Sequence, residues 1–472
     1  MNASCSSGIS LRVVSKQVDA RRRQQSFSPE CLAAILQDLS TTARFWLAYS
    51  GGCDSHVLLH AVAYLRRRGA LQTVHAVHVD HGLQAASAEW ARHCAAVCAE
   101  LEIPFTLVKI DARAGAGESP EAAARHARYR AFAGLVEEGD CLLTAHHQDD
   151  QAETLLLQLL RGGGPHGLAA MPEVSAFAAG RHARPLLAFP REELRSYAQR
   201  HALRWIDDPS NIDSGFDRNY LRNSVMPALR ERWPAVTRVI ARGASHQAEA
   251  AQLLDELAVE DLRRCEASDQ TLRISALMAL DAARQRNVLR YWLKSLGFNL
   301  PDTVRLAQVQ REVLHAAPDR LPEVDWQGAV VRRYRDHLYA LAPQPMVDSH
   351  SVLAWDLTQA LPLPDGSSLV AAPSRGNGIK STLCREQAVT VRYRQGGEAC
   401  HIAGRGVTRP LKKLLQEAGV PPWERERIPL IYVGGQLAAV AGHWLCAPCQ
   451  ADAGEEGITF EWRRAAHSGT LR

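Results

Sequence analysis

Residues 44–49, Arg-Phe-Trp-Leu-Ala-Tyr, form an apolar run of strand length, and residues 56–68 place Val57, Leu58, Ala61, Val62 and Leu65 on one helical face. The alternation then repeats. Strands are predicted at 73–79, 105–110 and 141–145, and helices at 87–101 and 120–136. Apolar strands alternating with helices imply an α/β fold, a parallel sheet with helices on both faces and ligands at the carboxyl ends of its strands. Farther along, Ala-Leu-Arg-rich stretches at 247–264, 282–296 and 303–315 predict a mainly helical middle domain over 236–342, closed by a strand at 329–341. Scattered Pro, Gly and Ser make 343–387 read as a linker region with one short hairpin. A small α+β C-terminal domain over 388–466 follows from strands at 389–394, 428–433 and 436–441 and a helix at 410–418. The sheet domain then spans 28–230, after a disordered leader over 1–27.

Composition changes this picture little. At 472 residues the chain has room for two to four domains, and 46% apolar with 22% charged residues is the balance of a soluble globular protein. A net charge of +4 permits local RNA-binding patches without demanding them. No apolar run reaches membrane-spanning length, and Arg21-Arg22-Arg23 has no apolar core after it that would make a signal peptide. Eleven scattered cysteines, an odd number, suit reduced thiols in a cytoplasmic protein. Cys446-Ala-Pro-Cys449 is the single Cys-x-x-Cys and lacks a second pair to complete a zinc site.

The candidate chemistry begins where the first strand meets the first helix, at Ser50-Gly51-Gly52-Cys53-Asp54-Ser55. Two glycines let the backbone turn sharply, and the free N–H groups of the helix start, helped by the Ser50 and Ser55 hydroxyls, suit an anion. No Gly-Lys-Ser/Thr follows and the Gly-x-Gly-x-x-Gly spacing is absent, so this is neither a Walker loop nor a dinucleotide fingerprint. The plainer alternative is a capped Gly-Gly turn. The pattern Ser-Gly-Gly-x-Asp-Ser resembles the PP-loop of the ATP pyrophosphatases, which implies ATP bound at Ser50–Ser55 with the Asp54 carboxylate helping to hold magnesium.

A second constellation follows the fourth strand: Ala145-His146-His147-Gln148-Asp149-Asp150-Gln151-Ala152-Glu153-Thr154. On a helix, Glu153 lies four residues from Asp149 and three from Asp150, so one turn presents three carboxylates. Acids in a first turn also complement the helix macrodipole, the plainer reading taken alone. Opposite a triphosphate loop they suit magnesium, and Asp54, Asp149 and Asp150 are the candidate ligands. Arg161-Gly162-Gly163-Gly164 then supplies a cation at the base of a flexible loop, a lid or simply a helix end.

Asp80-His81-Gly82-Leu83, the 145–154 run, Leu160-Arg161-Gly162, Arg184-Pro185-Leu186-Leu187, Asp208-Pro209-Ser210-Asn211 and Arg218-Asn219-Tyr220-Leu221-Arg222-Asn223 occur in order. Arg392-Tyr393-Arg394-Gln395-Gly396-Gly397-Glu398, Lys412-Lys413-Leu414-Leu415 and Pro421-Pro422-Trp423 come later. Together they resemble the tRNA(Ile)-lysidine synthetase family of bacterial PP-loop enzymes. Cys53 departs from the pattern, standing where many relatives carry a lysine. The resemblance implies ATP and Mg²⁺, free L-lysine and a tRNA(Ile) with a CAU anticodon, in a cytoplasmic enzyme that is a monomer or a homodimer. It also implies catalytic roles for Asp54, Asp149, Asp150, Glu153 and Arg161. Nothing in the residues independently identifies a lysine pocket; its ammonium needs carboxylates, and Glu153 and Asp208 are of the right type.

Candidate RNA contacts are Arg125 and Arg128 around Tyr129, Arg218 with Arg222, and the C-terminal Arg405, Arg409, Lys412 and Lys413, each pattern equally that of a solvated helix face. Two rival functions make different demands. A tRNA thiolase needs sulfur-carrying cysteines near the loop, where only Cys53 and Cys141 stand; a non-catalytic tRNA binder has no need of the acids, which are all present.

Overall fold

Phe45, Trp46 and Leu47 are buried, and alternation along a strand sends their side chains to opposite faces of a sheet. Leu47 joins Leu58, Val62 and Leu143 in one core cluster, while Trp46 joins Val77, Leu142, Phe132 and Val136 in another. A strand buried on both sides needs helices on both sides, which is the arrangement of a parallel α/β sheet. The computed structural model describes residues 26–464 apart from 40–41, 72, 83–85, 112, 114–119, 210–212, 214, 268–269, 318–319, 344–346 and 403–406.

The chain divides into two compact units, residues 1–254 and 255–472. The first contains, in order, α1 (Pro29–Gln37), β1 (Phe45–Ala48), α2 (Cys53–Arg67), β2 (Val74–Asp80), α3 (Ser87–Glu100), β3 (Phe105–Lys109), α4 (Pro120–Ala133), β4 (Cys141–Leu143) and α5 (Gln148–Leu160). A hairpin of β5 (Val174–Phe177) and β6 (Gly180–Ala183) follows, then α6 (Arg191–Arg200). The sheet runs β3-β2-β1-β4-β6-β5, parallel except for β5. After β1 the chain goes outward to β2 and β3, then returns to place β4 on the other side of β1. That reversal opens a crevice at the carboxyl ends of β1 and β4, the place where such sheets bind ligands.

The expected elements of this unit are present within a few residues; the β5–β6 hairpin was not foreseen. The leader expected over 1–27 lies largely outside the described residues. Its last residue corrects the boundary: Phe27 is buried edge-on against Phe189 and Tyr197, and its N–H donates to Glu193 Oε2 at 2.8 Å. A kinked helix, α7 (Asp217–Tyr220 and Met226–Arg232, joined through a π-helical turn at Leu221–Val225), precedes the long α8 (Val236–Cys265).

In the second unit, α9 (Ile274–Met278), α10 (Ala282–Ser295) and α11 (Thr303–Gln308) pack with a four-stranded sheet. Its strands are β7 (Leu272–Arg273), β8 (Glu323–Trp326), β9 (Ala329–Tyr334) and β10 (His337–Leu341). The middle region is therefore helical with a small sheet, and the strand expected at 329–341 is a hairpin.

The linker reading of 343–387 is corrected. Here β11 (Val352–Ala354), β12 (Leu361–Pro362), β13 (Ser368–Arg375), β14 (Ile379–Lys380) and α12 (Ser381–Glu386) build into the antiparallel C-terminal sheets. β11 pairs with β15 (Val389–Arg392), and all eight residues of β13 pair with β21 (Glu456–Arg463). A further hairpin, β16 (Ala399–Cys400) with β17 (Arg409–Pro410), leads into α13 (Leu411–Glu417), beside β18 (Leu430–Val433) and β19 (Gln436–Val440), and β20 (Trp444–Leu445) pairs antiparallel with β19. No described helix is long and apolar enough to cross a membrane.

Candidate active site

The loop between β1 and α2 turns at Gly51, whose φ of +85° favours glycine. A Cβ there would stand 2.9 Å from Ile206 Cδ1 and 3.0 Å from Cys94 Sγ. The Gly51 carbonyl accepts from Ile206 N–H at 2.9 Å, and the Ser50 and Ser55 hydroxyls lie 3.0 Å apart. Gly52 caps α2 without a side-chain bond, so the first-turn N–H groups of a 15-residue helix are left for an anion. Burial, with the Asp54 carboxylate next, pushes the Cys53 thiol up to about 11, so it stands in the loop as a neutral thiol.

The neighbouring strand brings the second constellation to the same edge. His147, 1% exposed, is the N-cap of α5: its own N–H donates to Asp150 Oδ2 at 3.0 Å. His147 Nε2 lies 3.5 Å from Asp54 Oδ2 and 3.4 Å from Asp150 Oδ2, so one imidazole bridges the two constellations. Burial alone would favour its neutral form, but the carboxylates of Asp150, Asp54 and Asp149 outweigh that and raise it.

The acids meet arginines from α7. Glu153 accepts from Arg218 Nε at 3.0 Å and from Arg222 Nε and Nη2 at 2.8 and 2.7 Å. Asp150 Oδ1 accepts from Arg218 at 3.2 Å and Arg222 at 2.9 Å. Asp149 is held by Arg230 and by the Arg191 N–H at 2.9 Å. Burial opposes ionisation of Asp150, but His147, Arg218 and Arg222 hold its carboxyl well below the usual range.

These pairings change the sequence-based picture. Asp149 and Asp150, expected beside Asp54 as magnesium ligands, accept hydrogen bonds at both oxygens, and Glu153, considered as a partner for a lysine ammonium, accepts from two guanidinium groups. Among the described residues, no three His, Cys, Asp or Glu are grouped to hold a metal. Asp54 differs: its Oδ1 is buried with no partner among the described residues. Arg218 and Arg222, expected to touch RNA phosphate, face inward onto the acids. Arg161 caps the far end of α5, about 12–18 Å from the acids by helix rise, and lies 3.9 Å from Asp217.

Arg125 is exposed with its guanidinium 5.0 Å from the Tyr129 ring, and Arg128 donates to His81 Nε2 at 3.1 Å. In the second unit Lys412 and Lys413 are exposed on α13, while Arg409 pairs with Glu417 at 2.8 Å. Arg405 lies outside the described residues. Sequence reasoning missed the roles of His147, Arg230 and Ile206. His147 carried a signal, since it occupies the N-cap position before an acidic first turn; the other two meet the site only through tertiary folding.

Residues 21–229 match the family model of a PP-loop domain, 272–339 that of the TilS substrate binding domain and 389–462 that of the TilS substrate C-terminal domain. The tRNA(Ile)-lysidine synthase of Coxiella burnetii is 44% identical over 436 residues, 92% of this chain and 96% of the relative. That of Methylococcus capsulatus is 43% identical over 419 residues, 88% and 95% of the two chains. That of Escherichia coli O157:H7 is 40% identical over 431 residues, 91% and 99%. With such identity along nearly its whole length, the chain belongs to the tRNA(Ile)-lysidine synthase family.

Proposed function

We propose that this enzyme joins free L-lysine to the wobble cytidine of the CAU anticodon of tRNA(Ile), converting a codon reading of AUG into AUA. ATP adenylates the carbonyl oxygen of cytosine and releases pyrophosphate. The lysine side-chain amine then attacks the activated ring carbon and expels AMP, leaving lysidine. The observation that carries this reading is the meeting of the two constellations at the β1–β4 crevice, through His147 and Asp54.

Each group then has a task. The Ser50–Ser55 loop and the start of α2 bind the departing pyrophosphate. Asp54, with its unpartnered oxygen, is the carboxylate that would hold a magnesium ion, which when bound offsets charge on the triphosphate. Asp150 and Glu153 hold Arg218 and Arg222 in place, so the guanidinium groups stand fixed at the crevice before substrate arrives. Positioning and electrostatics supply most of the rate in a transfer that needs no covalent help from protein. RNA contacts from Arg125, Arg128, Lys412 and Lys413 place the tRNA.

The test is incubation with ATP, labelled lysine and tRNA(Ile) transcripts. Label should enter only the tRNA with a CAU anticodon, with one AMP and one pyrophosphate formed per lysine. Pyrophosphate release without incorporation, or incorporation independent of the anticodon, overturns the reading.

A further inference from the structure

A file of buried groups runs beside the crevice without a part in the steps above. His182 on β6 is 2% exposed and Thr144, just after β4, is 6% exposed. Arg184 Nη2 lies 3.1 Å from His182 Nδ1, His182 Nε2 lies 2.9 Å from Thr144 Oγ1, and Thr144 Oγ1 lies 2.8 Å from His146 Nδ1.

The direction of this file follows from the member that has no choice. A guanidinium only donates, so His182 Nδ1 must accept and the ring proton must sit on Nε2. Nε2–H then donates to Thr144 Oγ1, and the hydroxyl proton passes to His146 Nδ1 as a hydrogen bond. The reverse arrangement, with a proton on His146 Nδ1, leaves the buried hydroxyl proton of Thr144 with no acceptor in the file, and an unsatisfied buried donor is costly. Arg184 is itself anchored, since Nη1 donates to the Pro172 carbonyl at 2.7 Å.

We propose that Arg184, His182 and Thr144 form a positioning relay that locks His146 as the neutral Nε2–H tautomer. Its free ring N–H then serves as a hydrogen-bond donor to an acceptor oxygen of the bound substrates. The placement supports this: His146 stands between β4 and the first turn of α5, two residues from the relay's Thr144 and next to His147, which reaches Asp54. Desolvation, the largest influence on both rings, lowers His146 and His182 to about 3, which keeps them neutral throughout the working pH range. Fixing a catalytic imidazole's tautomer through its other nitrogen is a general device. That the acceptor is a phosphoryl oxygen of ATP or the carbonyl oxygen of cytosine rests on the adenylation reading; the tautomer itself does not.

The test uses full-length protein with ¹⁵N-labelled histidine, the His146 signals being assigned by their loss in His146→Asn and those of His182 by their loss in His182→Asn. Both rings should show an unprotonated Nδ1 and a protonated Nε2 from pH 5 to 8. Thr144→Val should move the His146 Nδ1 resonance to that of an unbonded ring nitrogen. It should also lower kcat about tenfold, less than the 10²–10³ lost with a whole donor, and lower the melting temperature of a still folded protein, because the buried His182 Nε2–H loses its acceptor. Thr144→Ser should restore all three. Weaker ATP binding by Thr144→Val without tRNA assigns the acceptor to a phosphoryl oxygen; unchanged ATP binding with slower tRNA-dependent turnover assigns it to the base. A proton on Nδ1 of either ring, or a Thr144→Val protein with unchanged resonance and kcat, overturns the relay. Correct tautomers in a protein that forms no lysidine would overturn the proposed function and leave the relay standing.

Discussion

Asp54 and Glu153 are both carboxylates of the crevice, yet their surroundings predict opposite phenotypes. Asp54 has an unpartnered oxygen and a 3.5 Å contact to His147, so Asp54→Ala removes little that holds the fold. Turnover should fall about 10²–10³ with a near-normal melting temperature, and pyrophosphate release at wild-type rate would sink the metal-holding role. Glu153, with a side chain 3% exposed, joins two guanidinium groups. Glu153→Ala strands buried charge and should cost about 3–5 kcal/mol, seen in urea unfolding, without raising the magnesium requirement. A magnesium titration run beside the unfolding curves separates the two acids. His182 gives a pH signature. Its folded value, lowered to about 3, lies below the ordinary 6.5, so the unfolded chain binds the extra proton and stability is lost as pH falls below 6.5. At pH 5 the loss from this one ring is about 2 kcal/mol, and His182→Asn should flatten the melting curve between pH 6.5 and 5 by that amount.

At the scale of elements, the β1–α2 turn is where backbone and packing constraints coincide. Gly51→Ala must adopt φ near +85° and press a methyl on Ile206 and Cys94. The left-handed backbone alone costs about 1–2 kcal/mol, and relief of the contact by Ile206→Ala should return only the packing part. A double-mutant cycle in unfolding free energy reads this; strict additivity would mean that Ile206 does not brace the turn. The turn was legible in the sequence because its causes are local: an apolar strand, two glycines, an amphipathic helix. The acidic turn of α5 was legible for the same reason, but its meaning was not. The partners of Asp150 and Glu153 lie 65–72 residues away on α7, and no spacing rule brings Arg218 and Arg222 onto them. The same physics hid β11 and β13. β11 is only three residues long and β13 mixes Ser, Ala, Pro and Arg into its apolar positions, and what makes β13 a strand is its pairing with β21, some 90 residues later.

For the whole molecule, that pairing decides where the chain can be cut. A C-terminal piece starting at residue 389 lacks β11 to β14 and leaves β21 without its partners, so it should not fold, whereas one starting at 348 retains every strand of those sheets. Removal of everything after 342 spares β7 to β10 and the whole crevice, so ATP binding should survive while tRNA binding weakens. Within the C-terminal part, charge on α13 separates into two kinds. Arg409 is spent on Glu417, but Lys412 and Lys413 are exposed beside the buried Leu411, Leu414 and Leu415. If the two lysines meet RNA phosphates, Lys412→Glu with Lys413→Glu should lower tRNA affinity and reduce the slope of log K against log salt by about 2. Phosphate contacts position without reading sequence, so tRNA(Ile) and a non-cognate tRNA should lose affinity alike. Melting should not change, because neither lysine packs in the core. Filter binding across a salt series settles it: an unchanged slope makes these lysines a solvated face, and a loss confined to the cognate tRNA makes them specificity contacts instead.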